Sequence, residues 1–474
     1  PKILIRSNEI NLSKLDLFLP IRSFFTSDFL LKRAEIAFIE NNIRDLTKIT
    51  NIVLPKFINN KLKKKFAEGK ITGEFVIPFL PNGSIGKDYE FSGKVSDTSI
   101  NFTKDFSVKN LTTEINHVRD KDDDGGVFKA TIVKGSIYDL ELAGSTIYLK
   151  RKKKTTKVES LLRTNGKLNF SQIKKISSLF SLNTGNLIDI NGDVDLKTNI
   201  SFDLNKKLRV KNLSYAMEGD ISYFEIHTKE RKIIKKYLPE YDPKIVFKDS
   251  NIKFIKHEPN YITELNGFIK AKDNFDNFKF EQIYNYDKKS FDINGIINLT
   301  NSKVKVERLN YIKDYGKTSK VSFDFNFVSN KYYNIKSLNF LADKTKIYLS
   351  DIKLNNNFEI KDFKKLEIRT FENEVKNNDF IVKKTEKITI LGEVFDAKPL
   401  LKSLYKKSDK KTFNKDFNSE IKININKVLT GTNDDVSDLS MIASINKGSY
   451  DKLNLKGNFS ENEIVEISIY QIDK

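Results

Sequence analysis

Hydrophobic and polar residues alternate along most of this chain. One stretch has apolar residues at Phe291, Ile293, Ile297 and Leu299, with Gly295 on the same phase. A period of two places these residues on one face of a β-strand and the polar residues on the other. The stretch therefore predicts a strand with one apolar face and one polar face.

The same pattern recurs in several other stretches of the chain. Residues 188–196, 388–394 and 453–459 repeat it, each with a glycine on the apolar phase. Residues 321–327 alternate most strictly, because valine or phenylalanine stands at every second position. Short turns join such stretches, and short turns favour antiparallel pairing. The pattern predicts a mainly β protein built on one long, twisted antiparallel sheet with a continuous apolar face.

A few short amphipathic helices interrupt the predicted strands. They are expected at residues 59–68, 171–182, 229–238 and 399–405. No segment rich in proline, glycine or serine divides the sequence into separate domains. We therefore predict an N-terminal β/α segment over residues 1–68 and a continuous, repeating β region over residues 69–474.

The charge of the chain follows the same alternation. The 83 lysine and arginine residues exceed the 63 acidic residues and give a net charge of +20. Lysines such as Lys303, Lys305, Lys422 and Lys427 stand singly on the polar phase, whereas the aromatic residues share the apolar phase. A nucleic-acid surface needs basic and aromatic side chains on one exposed face. The separation favours a solvated sheet face and predicts no nucleic-acid partner.

Cysteine usage and hydropathy limit the function classes further. The sequence has no cysteine, which excludes disulfides and thiol catalysis. No apolar run approaches the roughly 18 residues that a membrane helix needs. The chain begins at Pro1 rather than methionine, and we expect it to be a fragment of a longer chain whose signal or membrane anchor lies upstream.

Candidate catalytic and metal-binding motifs are weak in this sequence. Asp120, Asp122, Asp124 and Gly125 match the opening of a calcium loop, but Thr131 stands where the closing glutamate belongs. The three histidines are far apart, and no serine-hydrolase, zinc-protease or phosphate-loop motif is present. We therefore predict no metal, no cofactor and no catalytic residue, and a protein that is not an enzyme.

A sheet with one apolar face must bury that face in some way. It can pack on a second sheet, close into a barrel, or curl into a trough that holds an apolar ligand. The alternation alone leaves these arrangements open, including a β-sandwich or β-solenoid core with no ligand.

Two segments of the chain resemble bacterial AsmA-like proteins of the YhdP type. Residues 52–58 read as a Pro-containing strand end that leads to a short helix at 61–66 and a new strand at 69–73. Residues 392–401 are similar to the family's G-x-x-F-D strand followed by a short helix. The chain departs from the family in its lysine- and asparagine-rich composition and in having Phe66 where the first helix often carries tryptophan.

This resemblance implies both a fold and a function. The family implies an elongated sheet that curls into an open U-shaped groove, related to the TamB-type bridge-like lipid carriers. It implies a periplasmic protein held at the inner membrane by an anchor outside this chain. It further implies non-enzymatic transport of phospholipid toward the outer membrane or its proteins, in support of outer-membrane integrity.

The resemblance and the alternation together predict which residues line such a groove. The predicted lipid-binding residues are Phe291, Ile293, Ile297, Leu299, Val321, Phe323, Phe325, Phe327, Ile388, Ile390 and Val394. Gly192, Gly295 and Gly392 are expected to permit close approach of neighbouring groups or curvature of the sheet. Two functions from other classes stay open: a ligand-free structural or adhesive β protein, and a carbohydrate-active β-solenoid enzyme.

Overall fold

A computed structural model shows that the chain is built mainly from β-strands. It describes residues 2–5, 8–25, 31–43, 45, 68–86, 88–101, 107–118, 126–151, 155–179, 187–205, 209–328, 331–356, 360–404, 417–432, 434–460 and 463–470. The chain divides into two compact units. Unit 1 comprises residues 1–227 and 249–257, and unit 2 comprises residues 228–248 and 258–474. The predicted boundary at residue 68 stays a prediction.

Unit 1 is an antiparallel meander. Its elements are β1 (Lys2–Ile5), β2 (Asn8–Phe18), a 3-10 helix (Ile21–Phe24), β3 (Arg33–Asn42), β4 (Lys70–Pro78), β5 (Glu90–Asn101), β6 (Ser107–Val118), β7 (Val127–Ile137), β8 (Leu140–Glu141), β9 (Thr146–Arg151), β10 (Thr155–Asn169), α1 (Phe170–Leu179), β11 (Leu187–Asn205) and β12 (Val210–Thr228). Each strand from β1 to β7 pairs with the next, and β9, β10 and β11 continue the order. β13 (Lys244–His257) has residues in both units.

Unit 2 continues the antiparallel pattern. Its elements are α2 (Lys232–Tyr237), β14 (Asn260–Ala271), β15 (Asn274–Asn285), β16 (Ser290–Asn298), β17 (Val304–Val306), a 3-10 helix (Glu307–Leu309), β18 (Tyr311–Lys313), β19 (Ser319–Val328), β20 (Tyr332–Ala342), β21 (Thr345–Leu354), β22 (Ile360–Asp362), β23 (Lys365–Glu372), β24 (Val375–Lys384), β25 (Ile388–Asp396), α3 (Lys398–Leu404), β26 (Ser419–Leu429), β27 (Val436–Asn446), β28 (Ser449–Ser460) and β29 (Glu463–Tyr470). β17 and β18 form a small separate hairpin between β16 and β19. One neighbouring pair, β25 and β26, is parallel.

The structure confirms the predicted fold class of a mainly β protein with a long antiparallel sheet and a few short helices. Helices α1, α2 and α3 fall within or next to the stretches predicted to be helical. The helix expected at residues 59–68 lies almost wholly outside the described residues. Within the described ranges, no helix is long and apolar enough to cross a membrane.

Several strands contain a β-bulge at an aspartate or asparagine with left-handed backbone geometry. Asp97 in β5 has φ +53°, Asn110 in β6 has φ +50° and Asp438 in β27 has φ +49°. The pairing register shifts at each of these positions. Asparagine and aspartate tolerate positive φ better than other residues with a side chain, and a bulge bends its strand and increases the local twist.

Candidate functional site

A continuous row of apolar residues crosses the sheet of unit 2. This central row consists of Leu265, Phe280, Gly295, Phe323, Leu338, Leu349, Leu366, Val382, Ile390, Ile423, Met441, Leu455 and Ile467. Each residue is the register partner of the next, so the row runs from β14 to β29. Residues paired in this way lie on the same face of the sheet.

The central row is only partly shielded from solvent. Its residues from β14 to β28 are half-buried, and Ile467 in β29 is 45% exposed. Apolar residues at the centre of a sealed core are normally fully buried. The apolar face along this row therefore still has apolar surface that a ligand can cover.

An aromatic row runs beside the central row near one end of strands β14 to β20. It consists of Tyr261, Tyr284, Phe291, Phe327 and Tyr333, which are register partners in this order. Successive ring centroids are 6.2, 4.5, 4.7 and 5.7 Å apart, and the rings are stacked. All five side chains are half-buried. The row therefore presents a partly accessible aromatic surface.

The other side of the face is covered by residues 299–318, which we call the insert. The insert carries β17, β18 and the 3-10 helix between them. Its Leu299, Val304, Leu309 and Tyr311 form a closed core with Phe340, Ile347, Ile368 and Phe380 of the sheet. The ring of Tyr311 meets that of Phe340 edge-on at 6.1 Å. The insert therefore limits the accessible apolar face on this side.

Buried polar contacts anchor the tip of the insert. Asn310 has φ +49° and donates from Nδ2 to Oδ2 of Asp396 at 3.0 Å. The Nδ2 groups of Asn377 and Asn378 donate to the carbonyl oxygen of Leu309 at 3.1 and 2.8 Å. Asp396, Asn377 and Asn378 are fully buried. Each donor and acceptor in this network depends on its partner, because water does not reach it.

A buried lysine anchors the base of the insert. Lys313 is 1% exposed, and its Nζ donates to the carbonyl oxygens of Leu299, Thr300 and Ser302. Asp276, also buried, accepts hydrogen bonds from the backbone and side-chain amides of Asn301. Burial lowers the pKa of Lys313 to about 8. The insert is thus held at both its base and its tip.

The structure brings together most of the predicted lining residues on one face. Phe291 and Phe327 belong to the aromatic row, and Phe323 and Ile390 belong to the central row. Ile293 and Phe325 are paired between these two rows, and Ile297 and Val321 pack against the core under the insert. Leu299 and Ile388 are buried in closed hydrophobic clusters of the protein itself. Those two residues form part of the core rather than an accessible lining.

Val394 is buried, but its strand pairing does not place it with the other predicted lining residues, because a bulge in β25 changes its face. Phe380 pairs with Gly392 and Asp379 pairs with Val394, so Glu393 is an extra residue in β25. Val394 therefore stands on the face of Asp379, opposite the apolar one. The ring of Phe395 packs edge-on against Phe380 at 5.5 Å and joins the apolar clusters in its place.

Aromatic side chains lie directly against the three predicted structural glycines. A Cβ on Gly295 would stand 2.7 Å from Cζ of Phe323, and one on Gly392 would stand 2.4 Å from Cβ of Phe380. At Gly192 the corresponding distance to Cδ2 of Phe224 is 2.2 Å. These distances are shorter than van der Waals contact, so a larger residue must displace a ring or the neighbouring strand.

Replacement of Gly295 by valine is expected to destabilise unit 2 by about 1–3 kcal/mol, because the added methyl groups overpack the site. Its Cβ would also approach the carbonyl oxygen of Lys279 at 2.8 Å. Chemical unfolding monitored by circular dichroism measures the loss. Ile296→Val on the same strand, at a residue that is 48% exposed, is the control. Equal stability of the two variants would contradict the role of the glycine.

Unit 1 has an apolar face of the same kind. One row of register partners consists of Ile36, Phe75, Phe91, His117, Phe128, Leu149, Val158 and Phe202. The imidazole of His117 is buried between the rings of Tyr89 and Phe128, at 4.6 and 4.2 Å. Its Nδ1 is 2.9 Å from the carbonyl oxygen of Tyr89 and donates to it. These contacts indicate a packing role for this histidine.

Charged residues on the polar face are engaged with each other. Lys336 forms ion pairs with Asp292 at 3.1 Å and Asp324 at 3.4 Å, and its pKa is raised, chiefly by the hydrogen bond to Asp292. In the part of the chain that the structure describes, no group of three metal-ligating side chains comes together. The calcium-like motif at Asp120 to Gly125 lies outside the described residues.

Comparison with protein-family models, curated proteins and solved structures finds no match to this chain. The relation to AsmA-like proteins therefore stays a prediction from the sequence. Any assignment of function depends on the geometry of the apolar face.

Proposed function

We propose that this chain binds the acyl chains of phospholipids along its apolar sheet face and lets them move along it. The observation that carries the proposal is the central row, which is continuous from β14 to β29 and only partly buried. The resemblance to AsmA-like proteins supports the same function.

The chemistry of the face suits transit better than capture at one point. Covering apolar surface with an acyl chain contributes roughly 0.8 kcal/mol per buried CH₂ group. The residues of the central row are similar in kind, so the contacts are similar along the row and no position traps a ligand. Head groups lie at the margin of the face, outside the apolar row. Such a conduit requires no catalytic residue.

The proposal includes a cellular setting taken from the family resemblance. In that setting the protein works in the periplasm between the inner and outer membranes. An anchor outside this chain holds it at the inner membrane, and its far end meets the outer membrane or its proteins. The groove shape of the full sheet is part of the same proposal.

A ligand-free structural protein is the second candidate. The closed core under the insert and the separate cluster around Ile388 are the observations that favour it. In both places the chain covers its own apolar face without a ligand. The two candidates differ in what the central row contacts in the purified protein.

Two neighbouring residues of β19 test the proposal. Phe325 lies on the apolar face opposite Ile293, and Asp324 lies on the polar face near Lys336. We expect Phe325→Asp to reduce bound phospholipid at least about threefold, because a buried charge is costly next to acyl chains. Asp324→Lys should leave the amount unchanged. Native mass spectrometry with lipid extraction, on protein purified without detergent, measures both.

Equal effects of the two variants would contradict the assignment of the faces. Several phospholipids per chain in the unmodified protein would support a conduit, whereas one stoichiometric ligand would indicate a carrier with a defined pocket. Absence of lipid from folded, monomeric protein would favour the structural candidate. Circular dichroism on each variant confirms that the sheet is intact.

A further inference from the structure

A concave pocket opens at the end of the sheet in unit 2, beside the aromatic row. It is lined by Asn326, Lys331, Tyr332, Asn334, Lys353, Leu354, Asn355, Asn356 and Lys361. These residues come from β19, β20, the end of β21 and the start of β22, with Lys331, Asn355 and Asn356 in the segments between strands. Its volume is about 690 Å³, within the range of small-molecule sites. The pocket is therefore large enough for a lipid head group.

The pocket has a positive charge. Three lysines and no carboxylate are among its described lining residues. Two carboxylates lie nearby. Asp362 is 3.8 Å from Lys353 but closer to Lys384, at 2.7 Å, and Asp292 accepts a hydrogen bond from Asn326 at 2.8 Å and pairs with Lys336. Lysine side chains bind phosphate through charge-assisted hydrogen bonds. The charge balance of the pocket favours an anion such as a phosphate group.

Asparagines and a tyrosine form the uncharged polar part of the pocket wall. The Oδ1 atom of Asn334 is buried and has no hydrogen-bond partner within the described part of the chain. The hydroxyl of Tyr332 donates to Oδ1 of Asn326 at 3.1 Å. A buried acceptor without a donor is unfavourable. Because Oδ1 of Asn334 is shielded from solvent, the groups that a ligand phosphate can contact are the exposed ammonium groups of Lys331, Lys353 and Lys361.

One residue of the pocket also belongs to the apolar face. Leu354 lines the pocket and is also the register partner of Tyr333, the last ring of the aromatic row. Asn326, Tyr332, Asn334 and Lys353 alternate with residues of the apolar face, so the pocket lies mainly on the polar side at the ends of the strands, and Leu354 is its strand residue on the apolar phase. A ligand whose anionic part is in the pocket can place its apolar part against the aromatic row.

We propose that this pocket binds the phosphate of a glycerophospholipid head group while the acyl chains lie on the aromatic row. The inference rests on the proposed function, because the aromatic row is part of the same apolar face. It adds a defined binding site to a face that otherwise has uniform contacts. Lipid bound here would have a fixed orientation.

Two triple variants of the full chain test the pocket. The first is Lys331→Gln, Lys353→Gln and Lys361→Gln. The matched control is Lys279→Gln, Lys320→Gln and Lys422→Gln, which removes the same charge from exposed positions on other parts of unit 2. The probes are dihexanoyl phosphatidylglycerol below its micelle concentration, dihexanoylglycerol and glycerol 3-phosphate. Isothermal titration calorimetry measures each affinity.

The pocket variant should bind dihexanoyl phosphatidylglycerol about tenfold or more weakly than the unmodified protein, and the control should bind it within about twofold. Equal losses in the two variants would overturn the site. Glycerol 3-phosphate binding as tightly as the lipid would overturn the head-group assignment in favour of a free phosphate compound. Dihexanoylglycerol should bind all three proteins equally. A different result is that dihexanoylglycerol binds none of the three proteins while the pocket variant still loses affinity for dihexanoyl phosphatidylglycerol. That result would contradict the proposed lipid-binding function and would support a site for anions alone.

Discussion

Replacement of Asp396 by alanine is expected to lower the free energy of opening of the insert by about 3–5 kcal/mol, because it removes a buried charge from its partners. The carboxylate is fully buried and accepts hydrogen bonds from Nδ2 of Asn310 at 3.0 Å and Nδ2 of Asn377 at 3.5 Å. It also accepts the backbone N–H of Lys398 at 3.0 Å, at the start of α3. The ammonium of Lys398 forms an ion pair with the same carboxylate at 3.4 Å. Alanine leaves these four groups without their partner.

The insert should respond first, because Asn310 connects it to this network. Without Asp396, the tip keeps its hydrophobic packing through Leu309 and the hydrogen bonds that the Leu309 and Asn310 carbonyl oxygens accept from Asn377 and Asn378. The backbone of Asn310 is in the left-handed region, which is favourable there only while the surrounding contacts hold it. Loosening of the tip exposes Leu309 and the covered part of the apolar face.

Hydrogen exchange of the amides in β17 and β18 measures the opening free energy in the full chain. Glu393→Ala is the control, because the Glu393 side chain is 67% exposed on the same strand and pairs with Lys376. That variant should change the opening free energy by less than about 0.5 kcal/mol. The opening free energy of Asp396→Asn should lie between those of Asp396→Ala and Glu393→Ala, because an amide keeps one oxygen acceptor. Unchanged protection in Asp396→Ala would show that the network does not hold the insert.

The alternation of the sequence predicted the apolar face well where strands are regular. Phe323 and Phe325 of β19 meet Gly295 and Ile293 of β16 in register, as a strict period of two requires. The strand and short helix predicted over residues 392–401 are also present, as β25 and α3. In these regions the alternation of side chains along each strand agrees with the register of its pairing in the sheet.

Bulges and the insert are the features that alternation did not predict. The extra residue Glu393 moves Val394 off the apolar face, and nothing in its side chain marks it as a bulge. Residues 299–318 contain alternating positions, but their own hairpin folds onto the sheet and buries Leu299. Which apolar residue is covered depends on contacts distant in sequence, such as Asn310 with Asp396. A pattern with a period of two contains no information about such contacts.

The role of Asp396 gives the G-x-x-F-D segment a physical meaning. Phe395 packs into the apolar clusters, and Asp396 both accepts the first free N–H of α3 and fixes the insert. Phe395 and Asp396 of this motif thus help to hold the insert over the apolar face and so limit its accessible part. The pocket with Lys331, beyond the aromatic row, lies toward the other ends of the strands.

Lys313 is expected to make the stability of the insert depend on pH in the alkaline range. Its ammonium is surrounded by carbonyl oxygens, at 3.0 Å from Thr300 and 2.7 Å from Ser302, but has little contact with water. Burial lowers its pKa from 10.5 to about 8, and the charge of Asp276 offsets part of that effect. The folded state therefore releases this proton at lower pH than the unfolded chain does.

The sign of the effect follows from proton linkage. Below about pH 8 both states hold the proton of Lys313, so folding carries the full cost of burying its charge. Between about pH 8 and 10.5 the unfolded state binds more protons than the folded state. The contribution of Lys313 to the stability of the folded state therefore rises with pH between about pH 8 and 10.5. The expected gain from about pH 7.5 to about pH 9.5 is on the order of 1–2 kcal/mol.

Lys313→Met isolates this contribution from the other lysines of the chain. The variant removes the titrating group and leaves three backbone carbonyl groups without their donor, so its insert should open more easily by about 2 kcal/mol near pH 7.5. The variant should also lack the increase in opening free energy that we expect for the unmodified protein between about pH 7.5 and 9.5. Opening free energies at the two pH values, from hydrogen exchange corrected for intrinsic rates, measure both effects. Lys305→Met, at a half-buried residue of the same hairpin whose side chain pairs with Glu307, should keep this gain in stability. A gain of equal size in Lys313→Met would mean that other groups cause it, and the buried ammonium would then have no part in the pH dependence.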